Sequence, residues 1–262
     1  MRAIPDSLDP AVVADIDRRL EDVAAVHGVT VTLAIESGSR AWGFPSPDSD
    51  YDARFLFLRP VEDYLRLTPL RDVVETPLDA VFDVNGWDVR KALGLLVRGN
   101  ATVVEWLRSP IVYGGDPAFR DGMLELAGRI LDRERVIDHY LHIGLRHAAD
   151  PGGKLKRFFY ALRPAATLRW LRVHPDRAVA PMDLPTLLAE SEPEADVAVA
   201  AAELIAVKAV TRELGGGEPP AVLRRFVQDE LAAAAERGAA GRSDLAAAAA
   251  EADAYFRALV LP

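Results

Sequence analysis

The sequence predicts an α+β protein: strands and helices mix over residues 1–115, and helices alone fill residues 116–262. Three observations carry this reading. Two β-branched and apolar runs, Val29–Ile35 and Tyr51–Leu58, are separated by turn chemistry. From Trp87 onward the apolar residues recur at helical spacing. Breaks containing Gly or Pro at 151–153, 174–177 and 215–220 cut the second part into helix-length pieces, with no internal repeat.

Taken in order, Asp9 before Pro10 reads as a cap and first-turn proline. Val12, Val13, Ile16, Leu20 and Val23 then recur at helical spacing up to Gly28, a natural stop. The first strand follows and ends at the Gly38-Ser39 turn. FPSPDSD, with prolines at 45 and 47, is turn chemistry, and the second strand begins after it. Residues 60–79 read as a helical turn and a loop, and Ala80–Val84 as a third strand. Val89, Leu93, Leu96 and Val97 share one helical face, and Ala101–Leu107 is a further helix after Gly99-Asn100. Helices are expected over 118–131, 133–148, 154–172, 184–190, 195–214 and 219–258, the last helped by alanine tracts of high helix propensity.

Composition bounds the function. With 262 residues, 50% hydrophobic, the chain can bury a sizeable core. The absence of cysteine excludes disulfides, thiolate catalysis and Cys-ligated zinc. MRAIPDSLDPAVV lacks the order of a signal peptide, and no apolar run approaches the roughly 20 residues of a membrane helix. A cytoplasmic protein without a membrane partner is expected. A net charge of −9 argues against a generally basic nucleic-acid coat, but a local patch exists. From His142 to Arg177 there are eight Lys or Arg against Asp150 and Asp176.

The stretch IESGSRAWGFPSPDSDYDARFLFL sets acids in front of an apolar strand, where burying an isolated carboxylate costs several kcal/mol, about what relaxation cannot recover. Alternation along a strand puts Asp50 and Asp52 on one face if the strand has begun by residue 50. Two carboxylates held close repel unless a cation lies between them, and Mg²⁺ takes one or two carboxylates together with water and phosphate oxygens. Gly38 and Ser39 supply a turn whose backbone N–H groups can approach a phosphate. A phosphate cradle beside a metal pair points to phosphoryl or nucleotidyl transfer.

On these residues the sequence resembles the nucleotidyltransferase superfamily of DNA polymerase beta type: an apolar strand (Leu33–Glu36), a Gly-Ser pair (Gly38-Ser39) and Asp-x-Asp on the next strand (Asp50, Asp52). More narrowly, GSRAWGFPSPDSDYD, GWDVRKAL, GNATVVEWLRSPIVY and KRFFYALRPAATLRWL in that order resemble the YcgL-type predicted nucleotidyltransferases, related to the RlaP family linked with RNA repair operons. The resemblance spans residues 33–172 and implies a polymerase-beta-like core, a small mixed sheet with flanking helices, over residues 1–115 and a helical domain over 116–262.

It also implies a Mg²⁺ (or Mn²⁺) site in which Asp50 and Asp52 carry the ion and the triphosphate of an NTP. A third carboxylate, Asp83 with Asp88 as second choice, would ligate a second ion and help deprotonate the acceptor hydroxyl. The acceptor is RNA, a protein side chain or a small molecule. Lys156, Tyr160 and Arg163 fall on one helical face, which is expected to bind nucleotide through Lys156 and Arg163. Asn100 and Glu105 match the resemblance without a role.

Blander readings stand beside these. DSDYD is also a solvated acidic turn. An EF-hand loop is excluded, because Ala53 and Arg59 stand where it requires Gly and Glu. Trp87, Trp106, Phe158, Phe159 and Trp170 are expected in the core, and His139, His142 and His147 on an ordinary helix face, without HExxH. A noncatalytic nucleotide-sensing or partner-binding protein, antitoxin-like, that keeps the fold is the alternative to an enzyme.

Overall fold

The structure, a computed structural model, describes residues 1–77, 81–149, 155–211, 217–237 and 244–261. Asp9 caps helix α1 (Pro10–His27) by accepting the N–H of Ala11, and Gly28 ends it in the left-handed conformation. Strand β1 (Thr30–Glu36), the single-turn helix α2 (Gly38–Ala41) and strand β2 (Tyr51–Leu58) follow. Next come α3 (Val61–Tyr64), β3 (Val73–Glu75), β4 (Phe82–Asp88), α4 (Val89–Val97), α5 (Ala101–Arg108) and β5 (Val112–Gly115). The remaining described elements are α6 (Pro117–Ile130), α7 (Arg133–Ala148), α8 (Leu155–Val173), α9 (Leu184–Ser191), α10 (Ala195–Val210), α11 (Ala221–Glu236) and α12 (Leu245–Val260).

The fold is α+β with a five-stranded mixed sheet of order β3-β4-β2-β1-β5. β2 and β4 pair in parallel, and the other pairs are antiparallel. Because side chains alternate across a strand, the sheet sorts its residues between two cores. Ala34, Ala53, Phe55, Phe57 and Val84 pack with Val13, Ile16, Leu20 and Val23 of α1. Leu33, Ile35 and Leu56 look the other way, into a cluster that runs through Leu93, Trp106, Met123, Tyr140, Phe159 and Leu187 to Ala252. The expected boundary at 115/116 falls between β5 and α6, and this second core is continuous across it.

Several elements differ from expectation for identifiable reasons. The third strand was placed at Ala80–Val84, of which Ala80 lies outside the described residues; the observed β4 runs on to Asp88. Asn85-Gly86 has turn composition, but Gly86 is there because β4 lies against Phe55, where an added Cβ would come within 2.3 Å of the ring. The short strands β3 and β5 carry too few residues for a periodic signal. The single helix expected over 219–258 is two, α11 and α12, on either side of residues 238–243, which lie outside the described residues. Among the described residues no helix is long and apolar enough to cross a membrane.

Candidate active site

Two adjacent strand ends and the turn between them build the site. Ser37 N–H donates to the carbonyl of Asp52 at 2.8 Å, and Asp52 N–H donates to Glu36 Oε1 at 3.0 Å. Gly38 then turns the chain with φ +60°, and a Cβ there would sit 1.9 Å from Asp52 Oδ2. The glycine is required on both counts: by its left-handed backbone and by the carboxylate lying against it. Ser39, expected in a phosphate cradle, directs its hydroxyl to Ser49 Oγ at 2.9 Å, and Ser49 Oγ also accepts the Ser46 N–H at 2.9 Å. Arg40 donates to the carbonyls of Ser49 (2.6 Å) and Asp50 (3.2 Å) while its guanidinium covers the Tyr51 ring at 3.9 Å. The turn carrying Asp50 is therefore tied back to α2 by side chains at 39 and 40.

Asp52 and Asp83 are partners in the parallel register of β2 and β4, so both face the side opposite Ala53 and Val84. Arg54, two residues along β2, joins them. Its Nη2 donates to Asp52 Oδ1 at 3.0 Å and to Asp83 Oδ2 at 2.7 Å, and its Nη1 to the carbonyls of Asp83 (2.6 Å) and Ala53 (3.2 Å). Asn85 Nδ2 donates to Asp83 Oδ1 at 3.0 Å. Arg54 is the deepest of the three charged side chains, 15% exposed against 28% for Asp52 and 35% for Asp83. Burial pushes the Asp52 carboxyl above its usual value; Arg54 opposes the rise, and Asp83 and Asp50 add to it. Asp50 itself is exposed and precedes β2 by one residue.

Glu36 lies fully buried behind this group. Its Oε2 accepts the Tyr113 hydroxyl at 2.6 Å, while Oε1 holds the Asp52 amide. Burial dominates its hydrogen bonds and pushes its carboxyl from 4.5 up to about 7. No sequence pattern singles Glu36 out, because it continues an apolar strand and its partner is 77 positions away.

The helical part forms a wall over the turn. Phe44 stacks on Phe159 of α8 with ring centres 4.6 Å apart, and Trp42 meets Tyr160 edge-on at 5.7 Å. The buried Lys208 of α10 donates to the carbonyl of Phe44, and Leu184 N–H donates to that of Trp42 at 2.9 Å. Tyr160 stands close enough to Asp52 and Asp50 that, after burial, their charges push its hydroxyl above the ordinary value; the His147 ring lies 5.4 Å from its ring.

The predicted site residues thus divide. Gly38, Ser39, Asp50, Asp52 and Asp83 are brought together. Arg163 is not on the open face: it is buried, donates to Glu105 Oε1 at 2.8 Å and covers the Trp42 ring at 4.3 Å. Glu105 also accepts the Tyr140 hydroxyl at 2.9 Å, so it is the internal counter-ion of Arg163, and Asn100 caps α5 by accepting the Thr102 N–H. The i, i+4, i+7 spacing grouped Arg163 with Tyr160 but carries no information on which residue meets the core. The Lys156 side chain and Lys154 lie outside the described residues. Asp88 caps α4, accepts the Tyr64 hydroxyl, and stands five residues along β4 from Asp83, roughly 17 Å in a strand. His139 is half-buried with its pKa lowered by burial, and His142 Nδ1 bonds the carbonyl of Asp138. Trp87 and Trp106 stack on each other against the core. Tyr160, grouped by sequence with Arg163 on one helical face, does lie near Asp50 and Asp52, whereas Arg54, Arg40 and Glu36 are residues that sequence reasoning did not select. For Arg54 a signal existed: a cation two places after Asp52 on the same strand face.

Asp50 and the free Oδ2 of Asp52 are hard oxygen donors of the number Mg²⁺ takes from a protein when phosphate and water fill the rest, and in that sense the residues fit one ion. Among the described residues no group of three or more His, Asp or Glu is gathered as a metal cage. Both oxygens of Asp83 are engaged, by Arg54 and Asn85. Arg54 supplies one positive charge to Asp52 and Asp83.

Residues 12–258 match the family described as RlaP, RNA repair pathway DNA polymerase beta family. The protein YcgL of Bacillus subtilis (strain 168) is 33% identical over 216 residues, 81% of this chain and 82% of that protein. A crystal structure of a nucleotidyltransferase-like protein from Exiguobacterium sibiricum 255-15 is 10% identical, with a TM-score of 0.30 over 93% of this chain and 79% of that one.

Proposed function

The chain belongs to the RNA repair pathway DNA polymerase beta family, RlaP, and we propose that it is a nucleotidyltransferase that moves a nucleoside monophosphate from an NTP to an acceptor hydroxyl. The observation that carries this reading is the contact of Gly38 with Asp52, which sets a side-chain-free turn directly against that carboxylate. In the proposed reaction the acceptor oxygen bonds to the α-phosphorus. The bond from the α-phosphorus to the bridging oxygen breaks, and pyrophosphate leaves with the electron pair. The hydroxyl proton passes to Asp83, whose oxygens keep lone pairs beyond those used by Arg54 and Asn85.

Asp50 and Asp52 are the residues that would hold Mg²⁺ or Mn²⁺, which when bound supplies charge neutralisation on the phosphate oxygens. Gly38 and Ser39 keep the backbone close to the triphosphate, and Arg40 fixes the turn that presents Asp50. Tyr160 of α8 stands beside Asp50 and Asp52, with the His147 ring 5.4 Å from its own. Among RNA, protein and small-molecule hydroxyls, RNA is favoured by the family description.

The test is incubation with each NTP labelled at the α-phosphate, Mg²⁺ and RNA, comparing wild type with Asp50→Ala plus Asp52→Ala. Metal-dependent pyrophosphate release with label transfer, lost in the double variant, is expected. Nucleotide binding with no turnover for any NTP and acceptor would favour the sensor reading instead.

A further inference from the structure

We infer that this site works with one divalent ion, and that the guanidinium of Arg54 holds the charge position that a second ion would take. The inference rests on the nucleotidyltransferase reading above and concerns how that site is neutralised.

Four observations lead to it. First, Arg54 Nη2 is shared between Asp52 and Asp83, the position a bridging cation would occupy between these two strands. Second, Arg54 is anchored independently of the acids, because Nη1 donates to two backbone carbonyls, of Asp83 and Ala53. These bonds tie it to the sheet floor, where at 15% exposed it is less accessible than either acid. Third, each oxygen of Asp83 already accepts one hydrogen bond, from Arg54 or Asn85, whereas Asp52 Oδ2 accepts none among the described residues, so the less engaged donor for an ion is on the Asp50–Asp52 side. Fourth, Arg54 already sets one positive charge between Asp52 and Asp83, and a second ion placed there would have to sit beside a guanidinium that is only 15% exposed and repels it. The geometry is specific to arginine. A planar fork can serve two carboxylates and two carbonyls at once, which an ammonium cannot.

The division of labour follows. The ion at Asp50 and Asp52 accompanies the triphosphate, and Arg54 neutralises and orients Asp83. Arg54 is in this sense a positioning residue, because it touches the acids and not the reacting atoms.

The experiment counts ions rather than turnover. Wild-type protein with saturating α,β-methylene-ATP is titrated with Mn²⁺, and protein-bound Mn²⁺ is counted by equilibrium dialysis and electron paramagnetic resonance. Arg54→Met and Arg54→Lys are treated alike after their folding is checked by circular dichroism. One Mn²⁺ per wild-type chain is expected, without the spin coupling of a paired centre. Arg54→Met is expected to take two Mn²⁺ ions, and Arg54→Lys, which keeps the charge, one. Two coupled ions in the wild type would overturn the inference and leave the nucleotidyltransferase reading standing. No bound Mn²⁺ in the wild type would overturn both. A folded Arg54→Met that still binds one ion would also overturn it, and should that variant not fold, the wild-type count decides alone.

Discussion

Glu36 Oε1 accepts the backbone N–H of Asp52 at 3.0 Å, so a buried acid on one strand fixes the height of a site acid on the next. Burial raises the Glu36 carboxyl from 4.5 to about 7, so the folded protein binds a proton here more tightly than the unfolded chain does. Its contribution to stability is full below pH 4.5 and is lost as pH rises through 7, about 3 kcal/mol over that window. Glu36→Gln keeps an acceptor for the Asp52 amide and cannot ionise. Denaturant unfolding between pH 4.5 and 7.5 should show this downward component in the wild type and lack it in the variant.

Gly38→Ala adds a methyl group where Asp52 Oδ2 already stands, at a backbone conformation that costs a non-glycine residue about 1–2 kcal/mol. The expected outcome is a folded protein, modestly lowered in Tm, with Asp52 displaced and pyrophosphate release down by about 100-fold, as for a roughly 1 Å misplacement. Wild-type turnover in this variant would remove the Gly38–Asp52 contact from the argument.

Arg163→Met leaves Glu105 buried beside Tyr140 without its cation, and breaking one side of a buried pair costs about 3–5 kcal/mol. Arg163→Met combined with Glu105→Met is expected to recover much of that loss. A phosphate ligand would behave otherwise, with a raised KM for NTP and an unchanged Tm. Thermal melts of the single and double variants, read beside KM, separate the two roles.

Gly86→Ala drives a Cβ to within 2.3 Å of the Phe55 ring and 2.5 Å of the Phe55 carbonyl. β4 must then move away from β2, and Asp83 with it, three residues along the same strand. Loss of activity should accompany a loss of stability of about 1–3 kcal/mol, the usual cost of overpacking, measurable by chemical denaturation.

The parts of the site legible in the sequence were those contained in one contiguous stretch. Gly38, Ser39, Asp50 and Asp52 lie within fifteen positions, and their spacing around a strand-turn-strand unit fixes their proximity. Asp83 follows from the resemblance, which implies a third carboxylate on a later strand, with its apolar flanks ranking it above Asp88. Strand alternation places Arg54 on the face of Asp52, but its second partner, Asp83, follows only from the register of β2 with β4; Glu36 lies in an apolar strand, where residue type announces neither Tyr113 nor the Asp52 amide. Arg163 was misjudged for a related reason. Helical spacing says which residues share a side, and the neighbours α7 and α5 decide which side is covered. The fold is most legible over α1, β1, β2 and α4–α7, where the apolar pattern or a capping residue marks the element. The strand through Asn85-Gly86 was read worst, because its composition answers to a facing ring rather than to local propensity.

The second core, continuous from Leu33 to Ala252, has a bearing on how this protein tolerates dissection. A fragment cut after Gly115 would present Leu33, Ile35, Phe44 and Leu56 to water and would lose the α8 and α10 partners of the Phe44 segment. Such a piece is expected to aggregate instead of yielding a minimal enzyme. Grafting the front half onto another helical body would demand a matching aromatic socket for Phe44, so the two halves are expected to be exchangeable only as a matched set.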